Sequence, residues 1–101
     1  MQPQDVHSKK FHLINVLFNF DDFSIAHGQW EDGNDVIGMR YNETDSSSIG
    51  YPNTFGRPNW FVVSSDIAKI VLTGLLNFNL LKKEEHENIL KTLTLKNFEP
   101  A

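Results

Sequence analysis

The chain contains no cysteine, which removes several kinds of chemistry at once. Without cysteine there is no disulfide framework, no thiolate metal site and no cysteine nucleophile. A chain that uses no disulfide fits a reducing compartment, so the sequence predicts a cytoplasmic location.

Long apolar runs are lacking too. The first ten residues are polar and contain no apolar segment of the kind that a signal peptide requires. The longest apolar run, residues 70–81, is too short to cross a bilayer and is interrupted by Asn77 and Asn79. The sequence therefore predicts a protein that does not enter a membrane.

The sequence also lacks the motifs of metal, phosphate and nucleotide sites. Its four histidines are scattered, and the acidic turn at residues 31–35 does not have the spacing of a calcium-binding loop. Gly50 and Gly56 are not followed by the lysine and helix of a phosphate-binding loop. Neither a metal ion nor a cofactor is expected.

His27 is the histidine with the most promising surroundings for catalysis. Asp21 and Asp22 are nearby in the sequence, and Arg40 lies on the next predicted strand. A general base uses such an orienting carboxylate, but no serine, cysteine or second histidine is placed to work with it. The sequence therefore favours a packed histidine and assigns no catalytic residue. It favours a protein that is not an enzyme and leaves that question open.

Positive charge is scarce in one third of the chain. Residues 21–50 hold seven acids and one base, a net −6, whereas the other residues hold six acids and eight bases, a net +2. This balance argues against nucleic acid and leaves room for a basic protein partner on a candidate surface of Glu31, Asp32 and Asp35. The simpler explanation is that acids at turns keep a small domain soluble.

The chain does contain enough apolar material for one core. Hydrophobic residues make up 40% of the 101 residues, which is more than a disordered chain carries. Residues 1–9 are predicted to be a mobile tail and residues 10–101 to form a single domain.

Alternation of apolar and polar residues predicts strands at residues 11–20, 23–30 and 35–41. Asp32-Gly33 is a strong signal for a hairpin between the second and third strands. With a two-residue turn, Ile25 faces Arg40 and His27 faces Gly38, whereas with a three-residue loop we expect His27 to face Met39. The sequence leaves this register open.

A fourth strand and two helices follow. WFVV at residues 60–63 is typical of a short buried strand, and Ser64-Ser65-Asp66 supplies cap residues for a helix over 66–81. This helix has apolar positions at 67, 70, 71, 74, 75 and 78 and a second apolar stripe at 72, 76 and 80.

A second amphipathic helix is expected over 82–95, and residues 92–98 alternate in a way that also fits a strand. These elements predict an α+β fold, with an antiparallel sheet of about four strands and two C-terminal helices packed on one face.

Residues 50–60, GYPNTFGRPNW, form an unusual segment between two predicted strands. Its two prolines stiffen the chain, and aromatic and arginine side chains are enriched at binding hot spots. One interpretation is a recognition loop or pocket rim, and the other is an Ω-like loop closed over its own aromatics. The candidate binding residues are Trp30, Arg40, Tyr51, Phe55, Arg57 and Trp60.

Several short runs carry a resemblance to a family. Residues 37–42 (IGMRYN), with Gly50-Tyr51-Pro52, Gly56-Arg57-Pro58 and Trp60-Phe61-Val62, resemble a pattern in small uncharacterised bacterial proteins encoded on mobile DNA, such as integron cassette arrays. The resemblance covers roughly residues 15–75. It implies a bacterial cytoplasmic protein, and it carries over no activity and no catalytic residue.

Three functional hypotheses follow, in order of preference. The first is a binding module that forms a homodimer through the two-sided apolar helix 66–81. The second is an immunity-like or antitoxin-like protein whose acidic hairpin covers a basic partner. The third is a small-ligand binder or enzyme with a cleft formed by Arg40, Tyr51, Arg57, Trp60 and His27.

Overall fold

The computed structural model describes residues 1–98 and has the α+β architecture that the sequence predicts. Its strands are β1 (Phe11–Phe20), β2 (Phe23–Trp30), β3 (Asp35–Tyr41), β4 (Asn53–Thr54), β5 (Arg57–Pro58) and β6 (Phe61–Val63). The helices are α1 (Ser65–Leu75) and α2 (Lys83–Leu93), with short 3-10 helices at Pro3–Asp5 and Lys96–Phe98. The main sheet is antiparallel in the order β1-β2-β3-β6, and β4 and β5 form a separate hairpin.

One face of the sheet carries both helices, which confirms the predicted arrangement. Every second residue of a strand points to this face, and each helix contributes its apolar stripe. Burial of these side chains supplies the main hydrophobic stabilisation. The buried cluster consists of Leu17, Phe18, Ile25, Ile37, Ala68, Leu72, Ile89 and Phe98.

The opposite face holds a smaller cluster of Val6, Phe11, Ala26 and Trp60. The N-terminal segment and the end of the 50–60 segment cover it. The ring of Phe11 lies over Gly28, where an added Cβ would be 2.5 Å from Phe11 Cζ. A Cβ at Gly38 would be 3.0 Å from Trp60 Cβ, a tight contact, so the absence of a side chain matters most at Gly28.

The hairpin between β2 and β3 differs from both predicted registers. Its loop has three residues, because Trp30 N–H donates to Asn34 O at 2.9 Å and Gly33 closes the turn with a φ of 85°. A glycine in this left-handed conformation is typical of three-residue hairpin loops. The slip runs opposite to the expected direction, so His27 lies beside Ile37 rather than Gly38 or Met39.

The first helix begins as predicted and ends early. Ser64 caps it, its side chain accepting from Ile67 N–H at 3.4 Å. The prediction of a helix to residue 81 is wrong, because α1 ends at Leu75 and the following amides bond to carbonyls three residues back. Asn77 and Asn79 are weak helix formers, and such bonds tighten a helix end.

The predicted main face of α1 meets the core only in part. The core receives Ala68 and Leu72, with Val71 and Leu75 of the predicted face packed against it, whereas Ile67 and Ile70 are 49% and 69% exposed. The second helix lies where it was expected, within residues 82–95. Residues 92–98 contain the end of α2, a turn and a 3-10 helix, and no strand.

The N-terminal segment, expected to be a mobile tail, lies against the sheet. Pro3 and Val6 are buried, and Trp60 Nε1–H donates to Val6 O at 3.2 Å. The mobility of this segment in solution stays a prediction. The domain was expected to extend to residue 101, and residues 99–101 lie outside the described part of the chain.

Candidate binding groove

A groove of about 940 Å³ lies between the N-terminal segment and the 50–60 segment. We call it the basic groove. It brings together four of the predicted binding residues, Trp30, Phe55, Arg57 and Trp60. It also includes Phe61 and Val62, so the groove continues along β6.

The charged side chains of the groove are all cationic or able to become so: His7, Lys9, Lys10 and Arg57. Their concentration contrasts with the net charge of −4 for the whole chain. Clustered cations beside exposed aromatic rings can attract a carboxylate and hold an apolar group near it. The groove therefore has the chemistry to bind an anionic, partly apolar segment.

The wall formed by the 50–60 segment is a small hairpin. Phe55 and Gly56 form its tip with φ values of 50° and 80°, and the Phe55 side chain is fully exposed. Asn59 holds the base, its N–H donating to Pro52 O at 3.0 Å and its Nδ2 to Thr54 Oγ1 at 2.5 Å. The Tyr51–Pro52 peptide bond is cis.

The start of this segment is fixed to β3. Tyr41 and Tyr51 exchange backbone hydrogen bonds of 2.7 and 3.0 Å. Gly50, with a φ of 75°, permits this approach, because an added Cβ would be 1.9 Å from Tyr41 O. Tyr51 itself is 63% exposed outside the groove, so the structure does not bring it together with Arg57 and Trp60.

Arg40 lies beneath the segment, with only 1% of its surface exposed. Its Nη1 donates to Asn59 O at 2.5 Å, its Nη2 donates to Ile49 O, and its guanidinium carbon is 5.8 Å from the Trp60 ring centre. Burial lowers the pKa of the Arg40 guanidinium from its usual value. Arg40 therefore ties both ends of the segment to β3 and does not face a ligand in the basic groove.

The opposite wall is the N-terminal segment, which Trp60 also positions. Besides its bond to Val6 O, the Trp60 ring lies 5.6 Å from that of Phe11. Sequence reasoning missed His7, Lys9 and Lys10 because it assigned them to a tail. The signal available was their position between two apolar residues, Val6 and Phe11, that a folded chain buries.

A second, smaller hollow of about 470 Å³ adjoins the basic groove, and we call it the acidic hollow. Asp32, Asp35 and Ser65 line it, and it shares Trp30 and Val62 with the basic groove. The charge on this side of the molecule therefore changes sign across Trp30 and Val62.

The acidic candidates differ in what they contact. Glu31 is exposed. Asp32 is also exposed and accepts the Asn34 N–H at 2.9 Å. Asp35 Oδ1 lies 2.7 Å from His27 Nε2, and Asp35 O accepts from Asn97 Nδ2 at 2.8 Å.

His27 thus has a carboxylate partner, which is Asp35 rather than the acids of the 21–22 turn. It is buried and lines neither the basic groove nor the acidic hollow. Within residues 1–98 there is no group of three or more side chains suited to holding a metal ion. No helix in that range has the length and apolarity needed to cross a membrane.

Comparison of the chain with protein-family models, curated proteins and solved structures found no match in any of the three.

Proposed function

We propose that this protein is a small interaction module that binds an extended segment of a partner protein along the basic groove and β6. The observation that carries the proposal is the convergence of Arg57, Lys9 and Lys10 with aromatic side chains on one groove. The proposed ligand is an apolar strand followed by acidic residues.

The position of β6 supports an extended ligand. β6 pairs with β3 on one side and is the last strand of the sheet on the other. A free edge can accept a further strand through backbone hydrogen bonds, while neighbouring pockets select its side chains. Phe61 and Val62 line the groove, so such a strand would lie beside the cationic side chains.

The acidic hollow favours a protein ligand over a nucleic acid. A nucleic acid carries negative charge along its whole length. Continuing past Trp30 and Val62, it would meet Asp32 and Asp35. A protein segment can place its acids at one end alone, which fits a surface whose charge changes sign.

The residues of the hypothesised catalytic cleft do not share one site. Arg40 lies beneath the segment, Tyr51 lies outside the groove, and His27 is buried with Asp35. We therefore propose a binding surface without a catalytic role.

The proposal is tested by fluorescence anisotropy with a labelled peptide in which a run of tyrosines is followed by glutamates. Reversing two groove charges, Lys10→Glu with Arg57→Glu, should weaken binding by about tenfold or more, because attraction becomes repulsion. The matched control reverses Lys83 and Lys91, two exposed lysines of α2, and should leave binding unchanged.

Two results would contradict the proposal. One is equal binding of a peptide in which lysine replaces glutamate. The other is tighter binding of single-stranded oligothymidine than of the acidic peptide, which would indicate a nucleic-acid site instead.

The immunity-like alternative, in which the acidic hairpin covers a basic partner, stays a prediction. It remains compatible with the structure because Glu31 and Asp32 are exposed. Its test should reverse those two residues and leave Asp35 intact. Because Asp35 is bonded to His27, reversing it would disturb the fold as well as the surface.

A further inference from the structure

The two edges of the main sheet differ in how they are covered. At the β1 edge, Asn19 N–H donates to Glu85 Oε2 of α2 at 3.0 Å, and the strand contains two register shifts. Contacts of this kind and bulges keep an edge from pairing with another chain. The β6 edge consists of Phe61, Val62 and Val63, which carry no charge and, among residues 1–98, pair with β3 alone.

Exposed apolar side chains occur on β6 and on α1, the helix that follows it. Phe61 is 62% exposed, and Ile67 and Ile70 of α1 are 49% and 69% exposed. The helix follows β6 after a single residue, Ser64. An uncharged strand edge with adjacent exposed apolar side chains is typical of an interaction surface.

We propose that the partner segment is β6 of a second copy of this chain, paired antiparallel with β6 across a two-fold axis. The inference rests on the proposed function and names its ligand. Residues 61–66, FVVSSD, are an apolar strand followed by an acid, which is the kind of segment proposed for the groove. Two four-stranded sheets would join into one, with α1 beside the partner's α1.

Charge complementarity supports this occupant. From its N-terminal to its C-terminal end, β6 runs from the basic groove, which includes Arg57, to the acidic hollow, which includes Asp35 and Ser65. Antiparallel pairing of two such strands places the basic groove of each copy against the acidic hollow of the other. The two-fold axis produces this contact twice, as a self-complementary interface requires.

The register follows from the same symmetry. Pairing centred on Val62 fixes the register of the three β6 residues. The antiparallel direction then brings the segment before β6, which carries Arg57, toward the start of the partner's α1, which carries Asp66. The Asp66 side chain is 90% exposed in the first turn of α1, with its Oδ1 3.6 Å from Lys69 Nζ, so the partner's Arg57 would join an existing surface ion pair. Exposed Phe61 would lie beside the partner's Val63.

The test is sedimentation equilibrium over protein concentrations from about 1 μM to about 1 mM, with circular dichroism to verify folding. Phe61→Lys introduces like charges on either side of the axis and removes an apolar contact, so it should raise the dimer dissociation constant by about tenfold or more. Arg57→Glu and Asp66→Lys should each do the same, and the double variant Arg57→Glu/Asp66→Lys should restore the dimer. Lys91→Glu, at an exposed position of α2, is the control and should have no effect.

A monomer at every concentration would overturn the inference, as would a dimer that Phe61→Lys leaves unchanged. A dimer that the double variant does not restore would overturn the antiparallel register. A monomer that still binds the glutamate–tyrosine peptide would overturn the two-fold pairing and leave the proposed function standing. A monomer that does not bind the peptide would overturn both.

Discussion

The two faces of the sheet are covered by different means. On one face, two helices bring large aliphatic and aromatic side chains onto Leu17, Ile25 and Ile37. On the other, irregular segments bring single anchors, Val6 and Trp60, onto a surface of small residues. The first face is built from periodic elements, whereas the second depends on individual contacts between distant parts of the chain.

This difference explains where the candidate site lies. The small residues Ala26, Gly28 and Gly38 let the rings of Phe11 and Trp60 approach the strands closely. Those rings in turn hold the N-terminal segment and the 50–60 segment, which form the two walls of the basic groove. Loops on a rigid scaffold are where binding residues tend to lie, and here the second face is that scaffold.

The largest expected effect comes from removing one anchor from each face. Trp60→Ala should lower the free energy of unfolding by about 3–5 kcal/mol and Leu72→Ala by about 2–5 kcal/mol, because each leaves a cavity in a packed cluster. Urea unfolding followed by circular dichroism measures both. If Trp60→Ala cost less than about 1 kcal/mol, the second face would be a loose covering rather than a core.

A smaller effect is expected from filling the space beneath Phe11. Gly28→Ala should destabilise by about 1–3 kcal/mol, since its Cβ would overlap the Phe11 ring and His12 O. Gly74→Ala is the matched control in α1, where nothing lies within 4 Å, and should stabilise by about 0.5–1 kcal/mol. Thermal unfolding compares the two. An equal response at both positions would mean that Phe11 does not lie against Gly28.

The smallest expected effect concerns the buried arginine. Arg40→Met should lower the free energy of unfolding by about 1–2 kcal/mol, because the carbonyls of Ile49 and Asn59 lose their hydrogen-bond donor. Removal of a buried charge offsets part of this loss. Arg57→Met, at an exposed position, should stay within about 0.5 kcal/mol of the parent protein.

Hydrogen exchange locates the effect of Arg40→Met. Amides of residues 49–59 should exchange faster in this variant, and amides of α2 should not. Faster exchange throughout the chain would contradict the role of Arg40 as a local tie between the segment and β3.

The elements of the helix-bearing face could be predicted because each carries a local signal. The strands alternate with period two, Ser64 caps α1, and the charged start of α2 precedes its apolar stripe. Local signals were weaker at the ends of the helices. The sequence pattern extended α1 to residue 81, although i→i+3 bonds already end it at Leu75.

The register of the β2–β3 hairpin and the side of α1 that faces the core could not be predicted from local signals. The twist of the two joined strands decides whether the loop around Asp32-Gly33 has two or three residues. Two apolar stripes on one helix are equivalent in the sequence, and only the surface they meet selects Leu72 over Ile70. The sequence predicted only one wall of the basic groove, because it identified residues of the 50–60 segment as candidate binding residues and did not identify Lys9 and Lys10.

By itself the sequence determined the fold class, the order of its elements and the presence of a stiff aromatic segment near position 55. It did so because hydrophobic periodicity, capping residues and glycine and proline act within a few residues of one another. Only the tertiary structure decided that Arg40 is buried as a tie, that Asp35 bonds His27, and that Lys9 and Lys10 join Arg57. These are contacts across the sheet, and they form only when segments far apart in the chain pack on the same face.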